Sequence, residues 1–248
     1  MNFRIQGASA LLLAFLLPLA SVSQVSWANS PGVKTVLQVP HLALAPLGFD
    51  DNDNAQVVLS GVFPNTCFRV GPVTSQVDAS HQRIIISNEA YFYPSSWCLQ
   101  VFVPYTQTVN LGPVKAGNYD VVVKSREGDL ISKGSLTVAV STHTDPDDYL
   151  YAPVKDVSIE DSAQGKALVL KGTFDYDCFT FKEVKVQQTA PNVVVVLPIL
   201  NEVNADTACK PQTSAFEKRV ALPKGLQGST LIHVRALNGQ SLNPIIEF

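Results

Sequence analysis

Val58-Leu59-Ser60-Gly61-Val62-Phe63, followed by Cys67-Phe68, reappears 111 residues later without a gap as Val169-Leu170-Lys171-Gly172-Thr173-Phe174 and Cys178-Phe179. The same shift carries Cys98 onto Cys209, so each half of the chain holds two cysteines 31 residues apart. It also superposes Val109 and Leu111 on Val220 and Leu222, Gly117 on Gly228, Val123 on Val234, and Gly128 on Gly239. Of the 83 positions aligned from Ala55 to Thr137, 15 are identical, and they fall mainly on cysteines, glycines and apolar residues. Those are the positions a fold constrains, and the pattern is that of a duplicated domain.

Around these anchors the chain reads as strands. Gln56 to Phe63, Phe68 to Val77, Arg83 to Ser87, Leu99 to Val103, Tyr119 to Lys124 and Ser135 to Val140 are short runs rich in Val, Ile, Phe and Thr, divided by Gly, Pro, Asn and Asp. The second half repeats the pattern at Val154 to Ile159, Lys166 to Phe174, Phe179 to Gln188, Val193 to Leu197, Phe216 to Leu222, Thr230 to Arg235 and Pro244 to Phe248. No segment beyond residue 28 shows a 3.6-residue apolar period of helical length. This strand density predicts an all-β chain of two tandem antiparallel β-sandwiches. The expected domains are residues 29–141 and 151–248, with a linker at 142–150 whose shortness limits motion between them.

Four cysteines admit three pairings, and duplication selects one: each copy closes its own bond, Cys67 with Cys98 and Cys178 with Cys209. A zinc site is the rival reading. It finds no Cys-x-x-Cys and no histidine at equivalent places in the two copies, since His81 aligns with Asn192 and His233 with Val122.

Residues 1–28 read as a secretory signal peptide, with Arg4 ahead of an apolar run from Ala8 to Ala20 and small residues at Ser26 and Ala28. A run of about 13 residues falls short of the roughly 20 that a spanning helix needs, so no membrane span is expected. Removing this segment leaves 17 Lys and Arg against 21 Asp and Glu, a net charge of −4. A mildly acidic chain without a basic block lacks the electrostatic footprint of a nucleic-acid binder. The expected location is the periplasm or the cell exterior.

The Gly-x-Phe turn, the Cys-Phe pair, the second cysteine 31 residues on, the Val-x-Leu segment and the Gly-x-Tyr strand resemble the immunoglobulin-like sandwich repeats of bacterial secreted and envelope proteins. The resemblance implies two tandem Ig-like domains acting as binding or spacing elements. It departs from antibody domains, whose disulfide closes a much longer loop, so no antibody-type binding site is carried over. Pilus chaperones are also two Ig-like domains in a chain of similar length, although their paired basic anchors find no match here.

Two stretches could carry a site. Asp50-Asp51-Asn52-Asp53-Asn54-Ala55 resembles the calcium-binding linker motif of cadherin repeats, so Asp50, Asp51 and Asp53 are calcium candidates; the alternative is a polar turn between strands. Tyr91-Phe92-Tyr93-Pro94-Ser95-Ser96-Trp97 is the densest aromatic stretch, and only the first copy has it. Tyr91, Phe92, Tyr93 and Trp97 either cover an edge of the first core or the interdomain contact, or anchor a partner, protein or glycan. His41, His81, His143 and His233 are scattered, and no nucleophile elbow, metalloprotease motif or phosphate loop occurs. No cofactor is expected. The expected function is a non-enzymatic binding or structural module, with a chaperone or assembly subunit that pairs strands, for instance through Leu136 to Val140, as the alternative.

Overall fold

The computed structural model describes residues 32–94, 97–145, 147–162, 165–203 and 208–248; the expected signal peptide lies outside them. In the first half the strands are β1 (Lys34–Leu37), β2 (Leu42–Leu44), β3 (Phe49–Asp50), β4 (Ala55–Phe63), β5 (Phe68–Asp78), β6 (Arg83–Phe92), β7 (Val103–Gly112), β8 (Gly117–Lys124) and β9 (Leu130–Ala139). The second half holds β10 (Val154–Ser162), β11 (Gly165–Tyr176), β12 (Phe179–Ala190), β13 (Val193–Glu202), β14 (Pro211–Ala221), β15 (Ser229–Ala236), β16 (Gln240–Leu242) and β17 (Ile245–Glu247). No helix occurs among the described residues, and none there is long and apolar enough to cross a membrane.

Each half is a β-sandwich. In the first, β2-β4-β7 faces a larger sheet in which β5, β6, β8, β9 and β3 lie side by side and β1 continues along β6. In the second, β10-β11-β14 faces β12-β13-β15-β16, with β17 also on β15. The cores fill from alternate residues of facing strands. Val57 and Leu59 of β4 meet Ile84, Ile86, Val121 and Val123, and in the other half Leu168 and Leu170 of β11 meet Val194, Val196, Ile232 and Val234.

The shared glycine has a steric reason. Gly61 lies opposite Tyr105 on β7, and a Cβ there would sit 2.7 Å from the tyrosine ring. Gly172 lies opposite Phe216 on β14, where a Cβ would sit 2.5 Å from the phenylalanine ring. At Gly172 a Cβ would also overlap the Pro153 carbonyl oxygen, so glycine leaves room for both the ring and the neighbouring backbone.

The sheets are mixed rather than purely antiparallel. β6 runs parallel to β8, β13 parallel to β15, and β3 parallel to β9. Between β6 and β8 the chain crosses to the facing sheet, runs along it as β7 and crosses back, so β8 returns in the direction of β6. Two other expectations are corrected. Leu99 to Phe102 form an exposed loop instead of a strand, and the strand begins at Val103. The outer edge of Leu136 to Val140 is closed where Phe49 and Asp50 pair with Val138 and Ala139, which blocks augmentation there.

Residues Gly32–Phe248 form one compact unit. The reason lies on the outer faces of β4, β13 and β15. Leu44 and Val58 of the first sandwich pack on Val193, Val195 and Leu231 of the second. β4 and β13 are therefore buried on both faces, which is why their sequences run apolar without alternation. The linker is held as well: the Asn52 side-chain amide donates to the His143 and Asp145 carbonyls at 2.8 and 3.1 Å, and Asp147 accepts from the Gly239 amide at 3.1 Å.

Candidate functional site

The aromatic stretch divides at its middle. Tyr91 and Phe92 end β6 and are half-buried, and Phe92 packs 4.9 Å from Phe68. Phe68 in turn lies near Phe63, which stacks on Tyr105 at 4.3 Å, so these rings close one end of the first sandwich. Tyr93 is half-buried and donates its backbone amide to the Cys67 carbonyl at 2.9 Å. Pro94 is exposed, and Ser95 and Ser96 lie outside the described residues. Trp97 is 85% exposed, Leu99 66%, Val101 51% and Phe102 77%. Four large apolar side chains within six residues face solvent, a concentration that soluble surfaces seldom carry without a partner.

This loop is fixed at its base. Cys67, in the turn before β5, is bonded to Cys98, with Cα atoms 5.3 Å apart. Beside it the Thr66 amide donates to the Leu99 carbonyl at 3.1 Å, and the Leu99 amide donates to the Thr66 hydroxyl at 3.0 Å. The second sandwich builds the same frame. Cys178 is bonded to Cys209 with Cα atoms 5.4 Å apart, the Asp177 amide donates to the Lys210 carbonyl at 3.2 Å, and the Lys210 amide donates to the Asp177 carboxylate at 3.0 Å. Each partner in that frame lies 111 positions from its counterpart. The dressing differs. Where the first copy carries Trp97, Leu99, Val101 and Phe102 in a loop, the second carries Ala208 and Lys210 ahead of β14 and Gln212 and Thr213 within it. The matching disulfide frame of the second copy forms without large apolar residues at these places.

Glu202 lies beside Cys178 and Cys209, but both sulfurs are spent on the disulfide, so they offer no thiolate to a metal.

Of the three acidic residues of the turn, Asp53 is the one that bonds the second sandwich. Asp53 is 1% exposed, and its carboxylate accepts from Nη1 and Nη2 of Arg235 on β15, at 2.5 and 2.7 Å. Its Oδ2 also accepts from the Asp50 amide at 2.9 Å. The Arg235 guanidinium donates to the Gly48 carbonyl at 2.8 Å and lies 4.9 Å from the centre of the Phe49 ring. Asp51 accepts from the Ser141 amide at 2.9 Å, and Asp50 caps Asn52 at 3.2 Å. All three calcium candidates thus have partners in the chain, and the cation facing Asp53 is Arg235. Sequence reasoning missed Arg235; its only signal was a charge at the end of the apolar run Leu231-Ile232-His233-Val234.

Next to it, His233 is buried. It lies 5.5 Å from Phe49, edge to face, and shares a 2.7 Å hydrogen bond from Nδ1 to Asn243 Oδ1. That partner places the proton on Nδ1 and leaves the buried Nε2 without a hydrogen bond. Burial pushes its pKa down to about 4, reinforced by the Arg235 charge and opposed by Asn243 and Asp53. The unfolded chain takes up the proton near pH 6.5, so between about 6.5 and 4 it binds more protons than the fold, and stability drops as the pH is lowered through this window. A shift of that size corresponds to about 3 kcal/mol. Asp50 and Asp147, which burial raises above the usual carboxylate range, give an opposite slope at the acid end of this window. Urea midpoints taken from pH 7.5 to 4.5 are expected to fall in the wild type and to flatten in His233→Gln; equal slopes would rule out this histidine as the source.

The class defined so far is an all-β chain of two packed sandwiches with one disulfide each, and the disulfides indicate an oxidising environment outside the reducing cytosol. Residues 57–146 match the family model of the ORF11 beta-sandwich domain, so the chain is similar to that family from within β4 to just past β9. No curated protein and no solved structure matches the chain.

Proposed function

We propose that this protein is an exported, non-enzymatic binding module in which two duplicated Ig-like sandwiches form a rigid support for one apolar loop, Trp97 to Phe102, offered to a protein partner. The observation that carries the reading is the pair of matching disulfide frames, one dressed in Trp, Leu, Val and Phe and the other in Ala, Lys, Gln and Thr. Selection for solubility alone would remove the first set. No charged residue occurs from Ala90 to Val114, so no local charge interferes with desolvating the loop. The disulfide and the Thr66 contacts hold it in shape, which lowers the entropy lost on binding. The apolar run at 8–20, the two disulfides and the equal cysteine spacing support export and duplication.

The test is a cross-linking pull-down of the tagged protein from the envelope and medium of the cells that make it, run with Trp97→Ala in parallel. One partner recovered by wild type and weakened about 30-fold by the substitution is the expected result, the scale of a central aromatic anchor. Recovery of no partner, or equal recovery by both, would overturn the reading.

A further inference from the structure

Where the apolar contact between the sandwiches ends, a cleft of about 590 Å³ opens between them, lined by Asn54, Gln56, Thr108, Asn110, Asn238, Gly239, Gln240, Ser241 and Asn243. It is larger than the 250 Å³ apolar hollow beside Tyr151 and Phe174, and its chemistry is uniform: amides, hydroxyls and one glycine, with no charged and no aliphatic side chain. Both walls contribute. Gln56 and Asn110 stand opposite each other on β4 and β7, with Thr108 two residues along the same face. The other wall is the β15–β16 hairpin, whose turn takes positive φ at Asn238 and Gly239.

Some of these groups lock the walls together. Ser241 Oγ and Asn243 Nδ2 both donate to Gln56 Oε1, at 2.6 and 2.9 Å, and Asn243 Nδ2 also reaches Thr108 Oγ1 at 3.4 Å. Asp147, the nearest carboxylate to the hairpin tip, is turned onto the Gly239 amide. The side-chain amides of Asn54, Asn110, Asn238 and Gln240 take no part in any hydrogen bond among the described residues, so four donor-and-acceptor groups line a cleft whose frame is already complete.

We propose that this cleft is a binding site for a neutral, polyhydroxylated ligand, a stretch of uncharged oligosaccharide. Each free amide offers an N–H and a C=O to one face, which matches a sugar hydroxyl that donates and accepts at once. A charged ligand would find no counter-charge, and an apolar one would strip water from four amides without replacing their hydrogen bonds. The volume lies within the range of small-molecule sites. The site is independent of the apolar loop and uses none of its residues.

The experiment is amide chemical-shift titration of the full chain with maltotriose, cellotriose and chitotriose, each to about 20 mM, beside tri-galacturonic acid as the charged control. The expected result is saturable shifts at Asn54, Asn110, Asn238 and Gln240 with at least one neutral trisaccharide, at a Kd on the order of millimolar, and none with the acid. Asn54→Ala/Asn110→Ala, checked for an unchanged melting temperature, weakens binding about tenfold, while Trp97→Ala leaves it unchanged. Absence of shifts with all three neutral sugars, or shifts confined to residues 97–102, overturns the proposal. Should the double variant fail to fold, Gln240→Ala at the exposed hairpin tip provides the same comparison.

Discussion

Replacing Arg235 with leucine is expected to destabilise the protein by about 3–5 kcal/mol, because Asp53 is left charged and buried with no counter-ion. The same cost is expected from Asp53→Leu, which strands the guanidinium among Phe49, Tyr151 and the Gly48 carbonyl. The double variant Asp53→Leu/Arg235→Met recovers most of the loss, since a buried ion pair and an apolar pair of similar volume differ little in net stability. The form of the transition is the sharper readout. The two cores are separate, and they unfold together only while their junction holds. Breaking the Arg235–Asp53 pair removes the charged part of that junction and leaves the contact of Leu44 and Val58 with Val193, Val195 and Leu231 and the hydrogen bonds of Gln56 with Ser241 and Asn243. Calorimetry on Arg235→Leu is therefore expected to split one transition into two. A single transition displaced by less than about 1 kcal/mol would show that the clamp does not couple the sandwiches.

Full reduction of both disulfides is expected to lower stability further. Each bond closes a span of 31 residues, which in the chain-entropy account stabilises the fold by roughly 3–4 kcal/mol. For a domain of about 100 residues that corresponds to a fall in melting temperature of roughly 10–25 °C. Two paired substitutions separate the contributions. Cys178→Ser/Cys209→Ser lowers the stability of the second sandwich and leaves the apolar loop in place. Cys67→Ser/Cys98→Ser also removes the covalent tie at the base of that loop, where the Thr66–Leu99 hydrogen bonds remain. A melting temperature unchanged by full reduction would show that the packed cores suffice alone.

How much of this could be read from the chain follows from what each signal measures. The paired cysteines, the Gly61 and Gly172 positions and the central strands were legible because backbone geometry at those places admits few residues. β1, β2 and β3 were not, because they are two to four residues long and precede the repeated unit. Leu99 to Val103 satisfied strand propensity, but propensity describes a residue that fits a half-buried pleat, and here only Val103 pairs with another strand, at Phe63, while Leu99 to Phe102 lie exposed. β7 was hidden for the opposite reason: its Thr and Gln residues diluted the apolar count, although Val109 and Leu111 already matched the second copy. The aromatic stretch split into ring packing and an exposed tip because sequence shows which residues are aromatic, not where the chain leaves the sheet. Asp53 read as part of a surface turn because its partner lies 182 residues away.

The two disulfide frames give the molecule a pair of sockets cut to one gauge. In each, the residues that hold the loop are a cystine and a side-chain oxygen at its base, Thr66 Oγ1 in one and the Asp177 carboxylate in the other, and neither belongs to the part of the loop that faces outward. The outward residues can therefore be exchanged as a cassette while the cores beneath them stay untouched. Recognition can drift, be duplicated onto the second socket, or be erased there, at little cost to folding. On the binding role proposed above, a chain carrying apolar residues at both sockets would engage two partners from one rigid body.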